Sequence, residues 1–362
     1  MIIYLITLVV SCFFAYQAQQ EGWTAEDGSR HLNIKFVVCL IVFLCIISGF
    51  RYMNYYQSDE YNYRVMVDGM KGIPFFDNFD FSQEWGSYVL YWISANIFNT
   101  NQFLIFIAAV ITNVSFVIFF MKNTQSFLMV IFLYIAGGAY FTSMNILRQY
   151  MAVGIILWCL ELANKRKIIY YIILVFLAAS IHQSAWLMLP MYLVFRKKRF
   201  DKSVLVIVAI TLVLFMNFQS IMSSVLSAGS SYDHYLENIL SGGYGVKLLR
   251  ILAWMLPYGL LLWRIKYCEN VLNIKPIVLF SVLISACISI VSYKYVFFAR
   301  IDAYFSIPAL CAVSRVPYLF EERSRRIVNL AMGILFFLFG CYQMSGFSTY
   351  HNILFENISG VL

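Results

Sequence analysis

Long apolar runs recur along this chain from its second residue to residue 345, and short basic clusters punctuate them. A bilayer's hydrocarbon core takes about 20 apolar residues per helical crossing, somewhat fewer in short helices. Inside it every backbone N–H and C=O must be satisfied by the chain itself, which leaves helices or closed barrels. Of the 362 residues only 12% are charged and 62% are hydrophobic, whereas a soluble domain carries about 25% charged residues. The chain therefore reads as an all-α polytopic integral membrane protein.

Spans are expected near 2–19, 33–50, 102–121, 126–141, 148–164, 168–181, 183–195, 203–219, 249–264, 276–293, 299–314 and 327–345. That makes about twelve transmembrane helices. The first run lacks a basic start and a small-residue cleavage site, so it reads as a helix and not as a removed signal. No internal repeat appears, and a single transmembrane domain is expected over 1–362. The net charge of +8 is spread over loops instead of gathered on one soluble face, which argues against nucleic acid. The eight cysteines are scattered without a CxxC and read as small buried hydrophobes.

Basic loops set the orientation. Lys165-Arg166-Lys167, Arg196-Lys197-Lys198-Arg199, Arg264 with Lys266, and Arg323-Arg325-Arg326 belong on the cytoplasmic side, which puts both termini outside. The parity requires residues 84–98 not to cross, so they are expected as an interfacial or re-entrant helix. Two outer segments then stand out, near 51–86 and 219–248. The first carries Asp59, Glu60, Asp68, Asp77, Asp80 and Glu84 among many aromatic residues. Carboxylates accept sugar hydroxyls and rings cover apolar sugar faces, so this composition suits a hydroxyl-rich ligand.

An arginine or histidine in such apolar sequence is costly and is read as functional by default. The hairpin 168–195 is too short for two full crossings, so its turn His182-Gln183-Ser184 is expected in a recess below the outer surface. There a histidine's hydrogen bonds can be tuned. Arg148 lies at the outer start of its span with Asn145 one helical turn earlier on the same face. Arg51 and Arg300 also lie at outer span ends, although Arg300 has Asp302 close by as a partner. Three guanidinium groups at similar depth suit one anionic group, because arginine binds phosphate bidentately and keeps its charge. No metal site is expected: the four histidines are far apart, and Asp77-Asn78-Phe79-Asp80 matches a metal motif in letters only.

The ordered set of these pieces resembles the EpsG-like branch of the Wzy-type bacterial O-antigen polymerases. It comprises Phe50-Arg51-Tyr52 with Asp59 and Tyr61, Glu84-Trp85-Gly86, and Asn145 to Ala152 around Arg148-Gln149. Ile181-His182-Gln183-Ser184 with Leu189-Pro190, and Arg300 with Tyr304-Phe305 and Pro308, complete it. Gln57 stands where the family tends to place a glycine, so the acidic role falls to Asp59 or Glu60.

The resemblance implies a GT-C-like polymerase architecture in the bacterial inner membrane, with the active site facing the periplasm. It implies transfer of a growing glycan from undecaprenyl pyrophosphate onto the non-reducing end of a new undecaprenyl-pyrophosphate-linked repeat unit, in lipopolysaccharide or exopolysaccharide biosynthesis, without cofactor. A polysaccharide chain-length regulator is the implied partner. On this reading Arg51, Arg148 and Arg300 contact pyrophosphate. His182, Arg148, Asp59 and Glu60 are the catalytic candidates. Asn145, Gln149, Gln183 and Tyr304 contact sugar. An O-antigen ligase, a lipid-linked oligosaccharide flippase and a membrane O-acyltransferase are the alternatives.

Overall fold

The computed structural model describes residues 2–24, 30–51, 59–200 and 246–345, with isolated positions 206, 209 and 213. Apart from those three positions, the expected span 203–219, the outer segment 219–248 up to residue 245, and Tyr52 and Gln57 lie outside the described residues. Two compact units emerge: Met1–Tyr192 with Gly333–Leu362, and Leu193–Met332. Apart from a two-residue antiparallel ladder, in which Trp23 pairs with His31 and Thr24 with Arg30, every described element is helical.

The first unit contains α1 (Ile2–Gln20), α2 (Ile34–Gly49), α3 (Asp59–Gly69), α4 (Trp85–Asn96), α5 (Gln102–Asn123), α6 (Phe127–Ala136), α7 (Ala139–Asn145), α8 (Leu147–Asn164) and α9 (Ile168–Ile181). A 3-10 turn, Gln183–Leu187, then leads into α10 (Met188–Phe195). Of these, α1 and α5 are long and apolar enough to cross a membrane, as is the final helix Glu322–Ser345; α2 and α9 are shorter apolar helices. At 12 residues α4 measures about 18 Å, short of the roughly 30 Å of hydrocarbon core.

One expected span is broken. The run 126–141 becomes α6 and α7, bent by 49°, because Gly138 adopts φ +84°, a conformation that glycine takes without steric cost. The polar groups at this break are answered locally. Tyr140 donates its hydroxyl to the Leu44 carbonyl at 2.8 Å, and Thr142 Oγ1 donates to the Gly138 carbonyl at 2.9 Å. Farther along, Ile146 (φ −99°, ψ 57°) separates α7 from α8. Asn145 and Arg148 consequently sit on different helices, not one turn apart on a single face.

Beneath these breaks, Tyr63 and Val67 of α3, Tyr91 and Ala95 of α4, Leu104, Ile105 and Ala108 of α5, Leu147 and Met151 of α8, and Ile181 of α9 form one buried cluster. Each large side chain buried from water contributes about 1.5–3 kcal/mol. The cluster therefore holds the two short polar-flanked helices, α3 and α4, against the apolar bundle.

The second unit contains α11 (Leu248–Trp263), α12 (Ile265–Asn270), α13 (Pro276–Ser292), α14 (Val296–Ile301), α15 (Ala303–Val313) and the start of α16 (Glu322–Ser345). The expected helix 299–314 is interrupted at Asp302, where α14 ends and α15 begins.

Candidate active site

Glu84 is the centre of the polar cluster in the first unit. It stands at the N-cap position of α4 with no side-chain bond to that helix's first N–H groups, and its two carboxylate oxygens face different partners. Oε2 accepts from Arg148 Nη1 at the start of α8. Oε1 lies 3.2 Å from His182 Nδ1 and accepts the Gln183 N–H at 2.8 Å. About a fifth of the Arg148 and Glu84 side chains and 28% of the His182 side chain is exposed. The group is therefore largely desolvated yet open to a ligand.

This arrangement has electrostatic consequences. Burial alone would raise the Glu84 carboxyl, but the His182 imidazole, the Arg148 guanidinium and the Gln183 N–H outweigh it and hold the group below the usual carboxylate value. A carboxylate at Nδ1 favours the histidine tautomer with its proton there and leaves Nε2 as the acceptor. Arg148 Nε is buried and bonds nothing, while its guanidinium also faces Tyr63, 5.7 Å from that ring.

The local sequence explains why Glu84 reaches this position. Gly86 packs directly on Ser180 of α9; a Cβ there would overlap Ser180 Oγ and come within 3.1 Å of the Ser180 carbonyl. Ser87 Oγ then donates to the Ile181 carbonyl at 2.6 Å. Glu84-Trp85-Gly86 thus combines a carboxylate with the glycine that lets α4 approach the end of α9, where His182 begins the turn.

Arg51 and Glu60 form a second centre. Arg51 Nε bonds Glu60 Oε1 at 2.7 Å, with 4% and 12% of the two side chains exposed. Arg51 Nη1 donates to the Ser48 carbonyl and Nη2 to the Met144 carbonyl. One guanidinium therefore ties the end of α2 to the start of α3 and the end of α7. The sequence suggests Arg51 as a pyrophosphate contact and Glu60 as an acid–base candidate; in the structure each faces the other. Asp59 is half-buried, and its N–H donates to Asn145 Oδ1 at 3.2 Å, so Asn145 supports the first turn of α3. Gln149 is buried in α8, and Gln183 contributes its backbone N–H to Glu84.

Arg300 and Tyr304 belong to the second unit. Arg300 is exposed near the end of α14, and Tyr304 is fully buried in α15. Asp302 between them lies beside Ser285 and Arg250. Asp80, part of the metal-like letters, accepts from the Ser82 N–H and hydroxyl, both at 2.8 Å.

The residue that sequence reasoning misses is Glu84. Its signal is present in Glu84-Trp85-Gly86, but the motif does not say that the turn at 182–183 and the start of α8 close on the same carboxylate. As a unit, Glu84, His182 and Arg148 offer a proton acceptor beside a fixed cation in a partly dry recess.

No curated protein and no solved structure matches this chain. The model of the EpsG family, by contrast, matches residues 34–356, a stretch that includes every residue of both centres. The chain belongs to the EpsG family.

Proposed function

We propose that the protein is a membrane polysaccharide polymerase. It transfers a growing glycan from undecaprenyl pyrophosphate to the non-reducing end of an incoming undecaprenyl-pyrophosphate-linked repeat unit, as in O-antigen assembly. Family membership supports the polymerase class, and the Glu84–His182–Arg148 cluster is the observation that carries the chemistry.

In this reading His182 Nε2 accepts the proton of the acceptor hydroxyl while Glu84 holds Nδ1–H and stabilises the imidazolium that forms. The acceptor oxygen bonds the donor's anomeric carbon, the bond from that carbon to the phosphate oxygen breaks, and undecaprenyl pyrophosphate leaves with the electron pair. Arg148 stabilises the charge developing on that leaving group, as a preorganised cation in a desolvated site does. Exposed Gln183 is the sugar contact of the turn, and the sugar role of buried Gln149 is kept from the sequence. We assign Arg51 and Glu60 to holding α3 in place, with Asp59 and Asn145 shaping the same rim. Arg300 is carried forward as a pyrophosphate contact and Tyr304 as a sugar contact on sequence grounds alone.

The transfer is read as metal-independent, with the Arg148 guanidinium answering the charge on the leaving group. Residues 1–362 are read as one multi-pass domain of about twelve spans plus an interfacial helix, GT-C-like, in the bacterial inner membrane with the site on the periplasmic side. Its partners are then the lipid-linked oligosaccharides, membrane lipids and a chain-length regulator.

A deletion strain tests the class. On a lipopolysaccharide gel the deletion should leave core plus a single repeat, and wild type should restore the ladder. Core with no repeat at all would point to a ligase or flippase and sink the polymerase reading.

A further inference from the structure

Three arginines of the second unit gather on a single turn, and among the described residues no carboxylate answers them. Arg264, just after α11, donates Nη1 to the Leu319 carbonyl, and its guanidinium lies 4.5 Å from the Tyr267 ring. Arg315, just after α15, is 8% exposed and lies 5.1 Å from the Tyr318 ring. Its side chain reaches the Leu272 carbonyl through Nη2 at 3.5 Å, the outer limit of a hydrogen bond. Arg325, in α16, lies 4.7 Å from the same Tyr318 ring. The Nε atoms of both Arg315 and Arg325 are buried and bond nothing. Among the described residues no ion pair involves any of the three arginines. Glu269 accepts the Phe200 N–H at 2.7 Å instead, and neither Glu321 nor Glu322 pairs with them.

Two guanidinium groups on one ring repel each other, and the repulsion grows as water is excluded. An N–H on a charged group that is buried and unbonded adds the full cost of its desolvation. Tyr318 offers each cation its ring face, which offsets part of this, but it supplies no negative charge. A phosphate supplies what is missing: its oxygens accept bidentately from Nε and Nη of a guanidinium fork, which never loses its charge.

The geometry points to a phosphate-binding site formed by Arg315 and Arg325 around Tyr318, with Arg264 as an outer cation. The phosphate is that of an anionic phospholipid head group or free inorganic phosphate. Basic pockets between membrane helices commonly hold lipid head groups. Trp263, Ile327 and Leu330 of the same unit are 80%, 70% and 65% exposed and offer apolar surface to acyl chains. The site shares no residue with the Glu84 cluster and does not depend on the polymerase reading.

The test uses the full-length protein in phosphatidylcholine nanodiscs doped with cardiolipin or phosphatidylglycerol. Retained lipid is counted by native mass spectrometry. In a parallel arm, inorganic phosphate is titrated into phosphatidylcholine-only discs and followed by 31P NMR line broadening. Wild type should retain anionic lipid. Arg325→Gln should weaken retention roughly tenfold, the loss of one charge-assisted pair. Arg315→Lys, which keeps the charge but removes the fork, should weaken it as well. The exposed neighbour substitution Arg326→Gln should leave retention unchanged. Binding of inorganic phosphate without retained lipid, with the same dependence on Arg315 and Arg325, upholds the site and names free phosphate as its ligand. Equal losses for Arg326→Gln and Arg325→Gln, or no binding in either arm, overturn the proposal.

Discussion

Replacing Glu84 by alanine should damage stability and activity together, and the size of each effect follows from what the carboxylate holds. The substitution leaves the Arg148 charge, the His182 Nδ1 and the Gln183 N–H without their acceptor. Breaking a fully buried ion pair costs about 3–5 kcal/mol and an exposed pair about 0–1 kcal/mol. With about a fifth of each side chain exposed, this pair falls nearer the buried case, at about 2–3 kcal/mol. The orphaned Gln183 N–H adds about 1 kcal/mol. Glu84→Gln keeps the shape and one acceptor oxygen, so it should lose roughly half as much stability. It should still lose a hundredfold to ten-thousandfold in turnover, as when a histidine's orienting carboxylate becomes an amide, roughly.

The pH dependence has a definite sign. The folded Glu84 carboxyl is depressed, so its contribution is complete above the unfolded value of about 4.3 and fades as pH falls through the lower folded value. Thermal unfolding of wild type and Glu84→Gln in detergent should therefore differ by a constant amount at neutral pH, with the gap closing only in acid. Equal melting temperatures at pH 7 together with unchanged turnover in Glu84→Ala would mean that the carboxylate holds neither Arg148 nor His182.

Three further outcomes follow from the same geometry. Gly86→Ala should push α4 away from Ser180 and cut activity, with more residual protein in the membrane than activity to match; unaltered activity would show that the close approach is not needed. Arg51→Ala and Glu60→Ala should each lower membrane levels sharply, since each leaves a buried charge alone at a cost of about 3–5 kcal/mol; Arg51→Lys should fail to rescue, because one ammonium cannot span Glu60, Ser48 and Met144. Arg148→Lys should keep the pair with Glu84 yet lower turnover about tenfold or more by losing the guanidinium fork, measured as initial rate at saturating substrate.

Much of the helical layout was legible because apolar run length is a strong signal. The helix at 168–181 has the bounds that its run suggests, and α5 lies over the expected 102–121. The breaks were harder to see. Gly137-Gly138 leaves an apolar run apolar, so hydropathy passes over the bend between α6 and α7, and Asp302 is a lone acid near the start of a mostly apolar stretch. The kink at Ile146 is invisible in composition, which is why Asn145 and Arg148 look like neighbours on one face. In the candidate site, Arg148 and His182 stood out because each is polar in apolar sequence. Glu84 did not, because it sits among other acids in a polar segment, and only the folded return of α9 singles it out. The reverse holds for Arg51, whose position suggests a ligand contact while its donors turn inward to Glu60 and two carbonyls.

Whether Glu84, His182 and Arg148 act as one unit in glycan transfer is decided by reconstitution. Purified full-length protein in nanodiscs would be given lipid-linked repeat units from a strain lacking the polymerase, and product length and released undecaprenyl pyrophosphate would be measured together. Wild type should make a ladder and release one carrier diphosphate for each bond formed. His182→Asn, Glu84→Gln and the double variant should be similarly slow, because removing either member disables the same proton acceptor. Additive losses in the double variant, or a full ladder from His182→Asn, would contradict the account.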